Sequence, residues 1–392
     1  MPGTSRAALP IVLGVVVVDL IGFGIVMPIL PFLAREYGAS ATWLGLMLSG
    51  YAAAQLVFAP LWGRLSDRFG RRPVLLATVA GTAVSLLLLG LAQSLETLFA
   101  ARILAGAFAA NVSVASAYVA DATDESERTR WMGLLGAGFG IGFLLGPAIG
   151  GLLAPWGHQV PMLFAAGLAV LNWVHAALRL PEAARRSAHL PAPGRREVLR
   201  SPMVFRLCVS NLVFALAVTQ LEAVFQFFMM DRFRFGAREV AFILVGMAAV
   251  IGAIQGGGMR RLAARFPERA LIGGGGLVMA VCFAALPFAA SLPLLLAVLA
   301  CSAAGRAVMQ PSLMSLASMA APPTQRGAAM GVFQSSASLA RVFGPFAAGW
   351  LYDRSLPAPF LLAAALALGV SLLTRSLPGR EAAAAPLATP AP

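Results

Sequence analysis

Two acids stand where acids are costly. Asp19 lies in VVVVDLIGFGIV and Glu222 in VTQLEAVFQFF, each inside an apolar run long enough to cross a bilayer. A charge in hydrocarbon costs roughly 2.5 kcal/mol or more, so each such residue is a site candidate. A carboxylate can escape that cost by taking up a proton. A group that alternates between charged and neutral forms is suited to carrying protons. Arginine has no such escape, so Arg102, Arg306 and Arg341, in similar runs, need partners.

Asp19 falls about eleven residues into its run, which at 1.5 Å per residue is near the midplane. A proton or cation site is preferred there over a carboxylate merely capped by neighbouring polar groups. Thr219, Glu222 and Gln226 share one helical face and would form a polar cavity wall; Gln220 points elsewhere, as a helix–helix contact. Tyr51 with Gln55, Arg306 with Gln310, and Gln334 with Ser338 and Arg341 also share faces. Arg306 is a partner for Glu222 or for a substrate anion, and Arg341 a structural tie. Arg102 shares its face with Gly106 and Ser113, and Asn111 projects from the opposite one. The phenylalanines near 225–235 suit lipid-facing packing better than a drug surface.

The elements that position these residues are apolar spans. Only 11% of the 392 residues are charged and the mean hydropathy is +0.82, against roughly 25% charged in soluble domains. Twelve runs approach or exceed the roughly 20 residues a bilayer needs: 8–33, 41–62, 74–93, 96–120, 131–154, 159–179, 204–229, 238–259, 269–289, 292–318, 326–350 and 357–376. The first is too long for a cleaved signal peptide and leads directly into the second. The net charge of +13 is carried by 29 arginines and no lysine. With the N-terminus inside, 21 of them fall on the cytoplasmic side and Arg35, Arg232, Arg234, Arg238 and Arg354 outside. That is positive-inside orientation, not a nucleic-acid footprint. Cys208, Cys282 and Cys301 lie in separate runs without metal or disulfide spacing, and are expected in buried packing.

The chain repeats. A shift of 198 residues places Arg128 on Arg326, Gly133 on Gly331, Gly146-Pro147 on Gly344-Pro345 and Gly151 on Gly349. The expected organisation is a six-helix bundle over 1–180, a cytoplasmic linker over 181–202, a second bundle over 203–378 and a disordered tail over 379–392. Halves so related usually bind substrate near the midplane at their shared interface. The run GFGIGFLLGPAIGG (138–151) is no dinucleotide fingerprint: position 143 is Phe and no strand precedes it. Gly138, Gly142, Gly146 and Gly150, four apart, instead form a ridge that lets another backbone approach. Pro147 adds a kink.

These stretches resemble a known family. Gly142, Gly146, Pro147, Gly150 and Gly151 match the fifth-helix motif of drug:proton antiporters of the major facilitator superfamily. GRLSDRFGRRP (63–73) matches the superfamily's loop between helices two and three. ARILAG (101–106) matches its fourth-helix motif, with Arg102 as the arginine. The N-terminal helix and AYVADATDESERTR are similar to the tetracycline-exporter branch. The resemblance spans essentially the whole chain and implies an all-α membrane protein of twelve transmembrane helices in two pseudo-symmetric bundles. It implies that Arg102 takes part in proton coupling. It implies too that Gly63, Asp67, Arg68, Gly70, Arg71 and Arg72, with Asp121 and Arg128 of the next loop pair, gate the outward-facing state. In that loop Gly63 and Gly70 suit tight turns. Asp67 suits a helix N-terminus or an arginine, and Asp121, Asp124, Glu125 and Glu127 lie within reach of the loop arginines.

The expected function is export of amphiphilic drugs in exchange for protons by alternating access, in a bacterial inner membrane, with both termini cytoplasmic. The energy source is the proton gradient, with no cofactor and no metal. Drug-like molecules, protons and membrane lipids are the partners; nucleic acid is not, and the protein is expected to be monomeric. Tetracycline exporters of the resembling branch also carry acids in helices three and nine. Runs 74–93 and 269–289 have none, which favours a broader cargo range. A same-fold permease for a metabolite, siderophore, sugar or lipid is the alternative. A membrane enzyme is remote, since no Ser/His/Asp set, H-E-x-x-H or C-x-x-C is present and His158, His175 and His189 are scattered. Without lysine no P-loop is possible.

Overall fold

The computed structural model describes residues 3–183, 199–322 and 325–374. Most of the expected linker, and all of the expected tail, lie outside the described residues. What is described is helical, with no strand among the described residues. We number the spans α1 (Gly3–Glu36), α2 (Ala41–Phe69), α3 (Arg71–Gly90), α4 (Leu95–Ala122, broken after Phe108), α5 (Glu125–Leu153) and α6 (Gln159–Arg179). There follow α7 (Pro202–Phe228), α8 (Ala237–Ala253, continuing through a π-turn to Arg265), α9 (Glu268–Ala285), α10 (Leu292–Met319), α11 (Arg326–Arg354) and α12 (Ala358–Leu373).

Ten of the twelve are long and apolar enough to cross a membrane by length and composition. The other two are α11, which is more polar, and α12, whose described length is 16 residues. The protein is thus a multi-pass membrane protein. Local signals start several spans: the Ser40 and Ser94 side chains accept from the amides of Trp43 and Thr97 and so cap α2 and α4.

The helices pack into two units. One holds the described residues of Met1–Ala188 together with Phe225–Ala248; the other holds those of His189–Val224 with Ala249–Pro392. In the first, α1 packs chiefly on α5 and α6, α2 on α4, and α3 on α6 and α4. Its core is aliphatic, with Val12, Val16, Leu75 and Val119 around the fully buried Tyr118 ring. In the second, α9 packs on α10 and α12, and α11 borders α10 and α12. A Cβ on Gly275 would stand 2.9 Å from the Gly305 carbonyl, and one on Gly305 equally close to that of Gly275, so α9 and α10 meet backbone to backbone. Cys208 and Cys282 are buried, whereas Cys301, one helical turn before Gly305, is exposed.

Candidate functional site

The first unit holds a polar cluster at mid-span. Asn111 donates to the Asp19 carboxylate at 2.7 Å and to the Thr82 hydroxyl at 3.2 Å. The continuous helix expected over 96–120 would have turned Asn111 away from Arg102. The helix instead breaks: Ala109 and Ala110 leave helical geometry (φ −75°, ψ 52°; φ −114°, ψ 1°) and the chain re-enters a helix at Asn111. Two carbonyls near the break find partners from α2. Gln55 donates to Ala109 O at 3.0 Å and the Trp62 indole to Ala107 O at 2.7 Å. Gln55 is therefore committed to the backbone, and it positions Asn111 indirectly. Tyr51 stacks under the Arg102 guanidinium, 4.3 Å from its ring centroid. Arg102 is buried and its Nε has no hydrogen-bond partner.

Asp19, Tyr51, Thr82 and Arg102 line one cavity with Phe23 and Leu86. It has about 50 Å³ of room, which suits a few water molecules. A drug-sized ligand fills roughly 300 Å³ or more.

The second unit holds an ion pair. Arg306 on α10 donates to Glu222 on α7 at 2.7 Å, and both side chains are about one third exposed. Nearby, Gln220 donates to Gly344 O at 3.2 Å and the Thr219 side chain fills the space a Cβ on Gly344 would need. Gln220 is thus a helix–helix contact between α7 and α11. Gln310, Gln334 and Arg341 are exposed. Gln226 is buried in the first unit, donating to Met27 O at 3.4 Å.

A charged cluster occupies one end of the first unit. Arg71 pairs with Asp121 at 2.7 Å and with Asp67 at 2.6 Å, and donates to the Ser66 hydroxyl at 2.7 Å. Arg72 donates to Ala177 O at 2.7 Å, Arg128 to Ala120 O at 3.3 Å, and Arg68 lies over Phe69. Gly63 is not in a turn: α2 runs on to Phe69, with open space where a Cβ on Gly63 would stand. Gly70 is the turn, at φ +110°.

Sequence reasoning overlooked Glu182. Its carboxylate accepts from the amides of Arg71 at 2.8 Å and Arg72 at 3.3 Å, an anion on the N-terminus of α3. A Cβ on Gly70 would strike that carboxylate. The available signal was a lone acid just after α6, facing a loop whose amides need an acceptor.

The glycine ridge seats α5 on α1. A Cβ on Gly142 would come within 2.6 Å of Leu20 Cβ, one on Gly146 within 2.6 Å of the Gly24 carbonyl carbon, and one on Gly150 within 3.0 Å of Ile25 O. Pro147, between them, is buried. Gly151 instead faces Ala241 of α8, whose Cβ stands 2.6 Å from where a Gly151 Cβ would be. The repeat-related Gly344 performs the same task for α11 against α7. At the opposite end of the first unit, Arg35 pairs with Asp231 at 2.8 Å over the Phe227 ring, and His158 contacts Glu36 at 2.6 Å.

With this geometry in hand, comparison with known proteins is specific. The Major Facilitator Superfamily model matches residues 12–262 and 259–391. The chain is 34% identical to the class D tetracycline resistance protein of Salmonella ordonez, across 88% of this chain and 89% of that one. It is 30% identical to multidrug resistance protein 1 of Bacillus subtilis (strain 168), across 94% and 96%. Among solved structures, it aligns with the human organic anion transporter MFSD10 (TETRAN) at a TM-score of 0.70 and 26% identity, covering 94% and 99%. A bacterial homologue of the lysosomal transporter Spinster aligns at a TM-score of 0.79 and 16% identity, covering 96% and 98%, a likeness of fold. The relatives are transporters rather than enzymes, and this chain belongs to the Major Facilitator Superfamily.

Proposed function

We propose that the protein exports amphiphilic, drug-like molecules in exchange for protons. The observation that carries the reading is Asp19, held by Asn111, which also donates to Thr82, beside a cavity roomy enough for water and too small for a drug. A carboxylate there can be loaded and unloaded through water while cargo binds elsewhere. Arg102, across the same cavity, is a fixed positive charge with an unsatisfied N–H.

Glu222 is the second proton-binding candidate. Its pairing with Arg306 would break when it is protonated, which ties its charge state to the packing of α7 on α10. Two six-helix bundles, 1–180 and 203–378, would alternate in access to the two faces. The Asp67–Arg71–Asp121 cluster would stabilise one of the two states. The 21 arginines of the cytoplasmic side favour both termini inside, in a bacterial inner membrane. The protein would act as a monomer, driven by the proton gradient alone.

The relatives' names include both tetracycline and multidrug resistance. The broader range is favoured here, because α3 has no acid and α9 only Glu268 at its start. The test is transport in proteoliposomes under an imposed pH gradient. Lumenal pH is followed as cationic dyes, tetracycline and chloramphenicol are added in turn. Proton movement with several members is expected. Silence across the panel with folded protein would favour a metabolite or lipid permease instead.

A further inference from the structure

The turn between α7 and α8 carries charge that the transport reading does not use. Arg232, Arg234 and Arg238 fall within seven residues and all are exposed. None has an ion-pair partner among the described residues. The nearby carboxylates are taken: Asp231 holds Arg35, and Glu239 accepts from the Gly236 amide. The chain reverses sharply here, and Arg234 adopts a left-handed conformation (φ 57°, ψ 29°). Glycine or asparagine would hold it at lower cost. An arginine at a strained position points to work done by its side chain. The charge also runs against the orientation rule, since three of the five outward arginines gather in this one turn.

Beneath the turn lies an apolar surface. Arg238, Phe242 and Gly246 are four residues apart on α8, and all three are exposed. Only 11% of the most apolar window of this span is buried, the lowest share among the ten apolar spans. Where Gly151 and Ala241 bring α8 against α5, α5 and the short 3-10 turn after it (Ala154–Trp156) add an exposed stripe of Leu145, Leu152 and Trp156, the last 71% exposed. Cationic and aromatic groups over apolar stripes match the layering of a bilayer interface.

We propose that this turn is a binding site for an anionic phospholipid of the phosphatidylglycerol class. The guanidinium forks of Arg234 and Arg238 would take the phosphodiester, a geometry arginine matches with paired N–H donors. The phosphodiester is common to zwitterionic lipids, and selectivity for the net negative headgroup comes from the combined charge of Arg232, Arg234 and Arg238, most of it carried by the two that touch the phosphate. The acyl chains would lie along Phe242 and Gly246 of α8 and Leu152 of α5. Such a lipid would brace α8 on α5 at Gly151.

The full-length protein, purified in a neutral detergent, is titrated with phosphatidylglycerol, with phosphatidylcholine, and with glycerol 3-phosphate. Bound lipid is counted by native mass spectrometry. Phosphatidylglycerol is expected to be held about tenfold more tightly than phosphatidylcholine, a gap of about one charge-assisted contact. The Arg234→Gln/Arg238→Gln double variant should bring the two lipids to near parity, and Arg234→Lys/Arg238→Lys should retain most of the preference. Equal retention of both lipids by the wild type would overturn the proposal without recourse to any variant. So would a glutamine variant that keeps the preference. Competition by glycerol 3-phosphate as effective as the lipid's own would show a soluble-phosphate site instead.

Discussion

At the scale of single residues, the chemistry rests on how each ionisable group is held. Asp19 is held by Asn111 at 2.7 Å, a neutral donor that can serve the ionised or the protonated acid. Glu222 is held by a cation. The two acids therefore respond differently to a proton: one keeps its partner and the other loses an ion pair. Glu182 is a third case, an acid whose acceptors face the first amides of α3. Its replacement by alanine leaves those amides without an acceptor. The expected cost is about 1–3 kcal/mol, read as a lower thermal midpoint of the purified protein. The same variant should free Arg71 to move from Asp121, which would show as a loss of transport beyond the loss of folded protein. Unchanged stability in Glu182→Ala would remove the carboxylate from the cap.

At the scale of elements, the spans were legible in the sequence because bilayer-length apolar runs have few alternative uses. The glycine ridge was legible because four-residue spacing defines a helix face. Gly146 and Gly140 separate the two uses of glycine within α5. A Cβ on Gly146 meets the Gly24 backbone, and one on Gly140 meets nothing within 4 Å. Gly146→Val is expected to cost about 1–3 kcal/mol by overpacking, and Gly140→Ala to be neutral or slightly stabilising, both measured by thermal unfolding. Equal tolerance at the two positions would contradict the seam.

The break in α4 was not legible. No proline or glycine marks FAAN (108–111), and the break is supported from α2, by Gln55 and Trp62. A tertiary partner some 50 residues away leaves no local signature. Sequence reading therefore placed Gln55 on a shared face with Tyr51 and turned Asn111 to the face opposite Arg102. Trp62→Phe keeps the ring and removes the N–H. It should cost about 1 kcal/mol and weaken proton coupling through a displaced Asn111; full coupling at reduced stability would limit Trp62 to a structural role.

At the scale of the whole molecule, the sequence repeat predicts like roles at like positions, and Gly146 and Gly344 fulfil it, each admitting a neighbouring helix. The repeat places Arg128 on Arg326 but does not extend to the two intramembrane acids. Asp19 sits with Asn111 and Thr82 in one unit, and Glu222 with Arg306 in the other. The scaffold is duplicated while the charges have diverged, which is why symmetry alone could not assign their partners. The arginine turn between α7 and α8 was visible in sequence only as an exception to orientation. Its exposed stripe appears once α8 is seen to be barely covered.

The central claim is that Asp19 couples proton movement to cargo movement. The most direct measurement is drug-dependent lumenal pH change in proteoliposomes, wild type against Asp19→Asn, with drug binding measured on the same preparations. Asparagine keeps the size and the hydrogen bond and cannot exchange a proton. The account predicts that the variant still binds drug, while drug-driven proton movement falls about tenfold or more. Coupled transport at the wild-type rate in Asp19→Asn would contradict it.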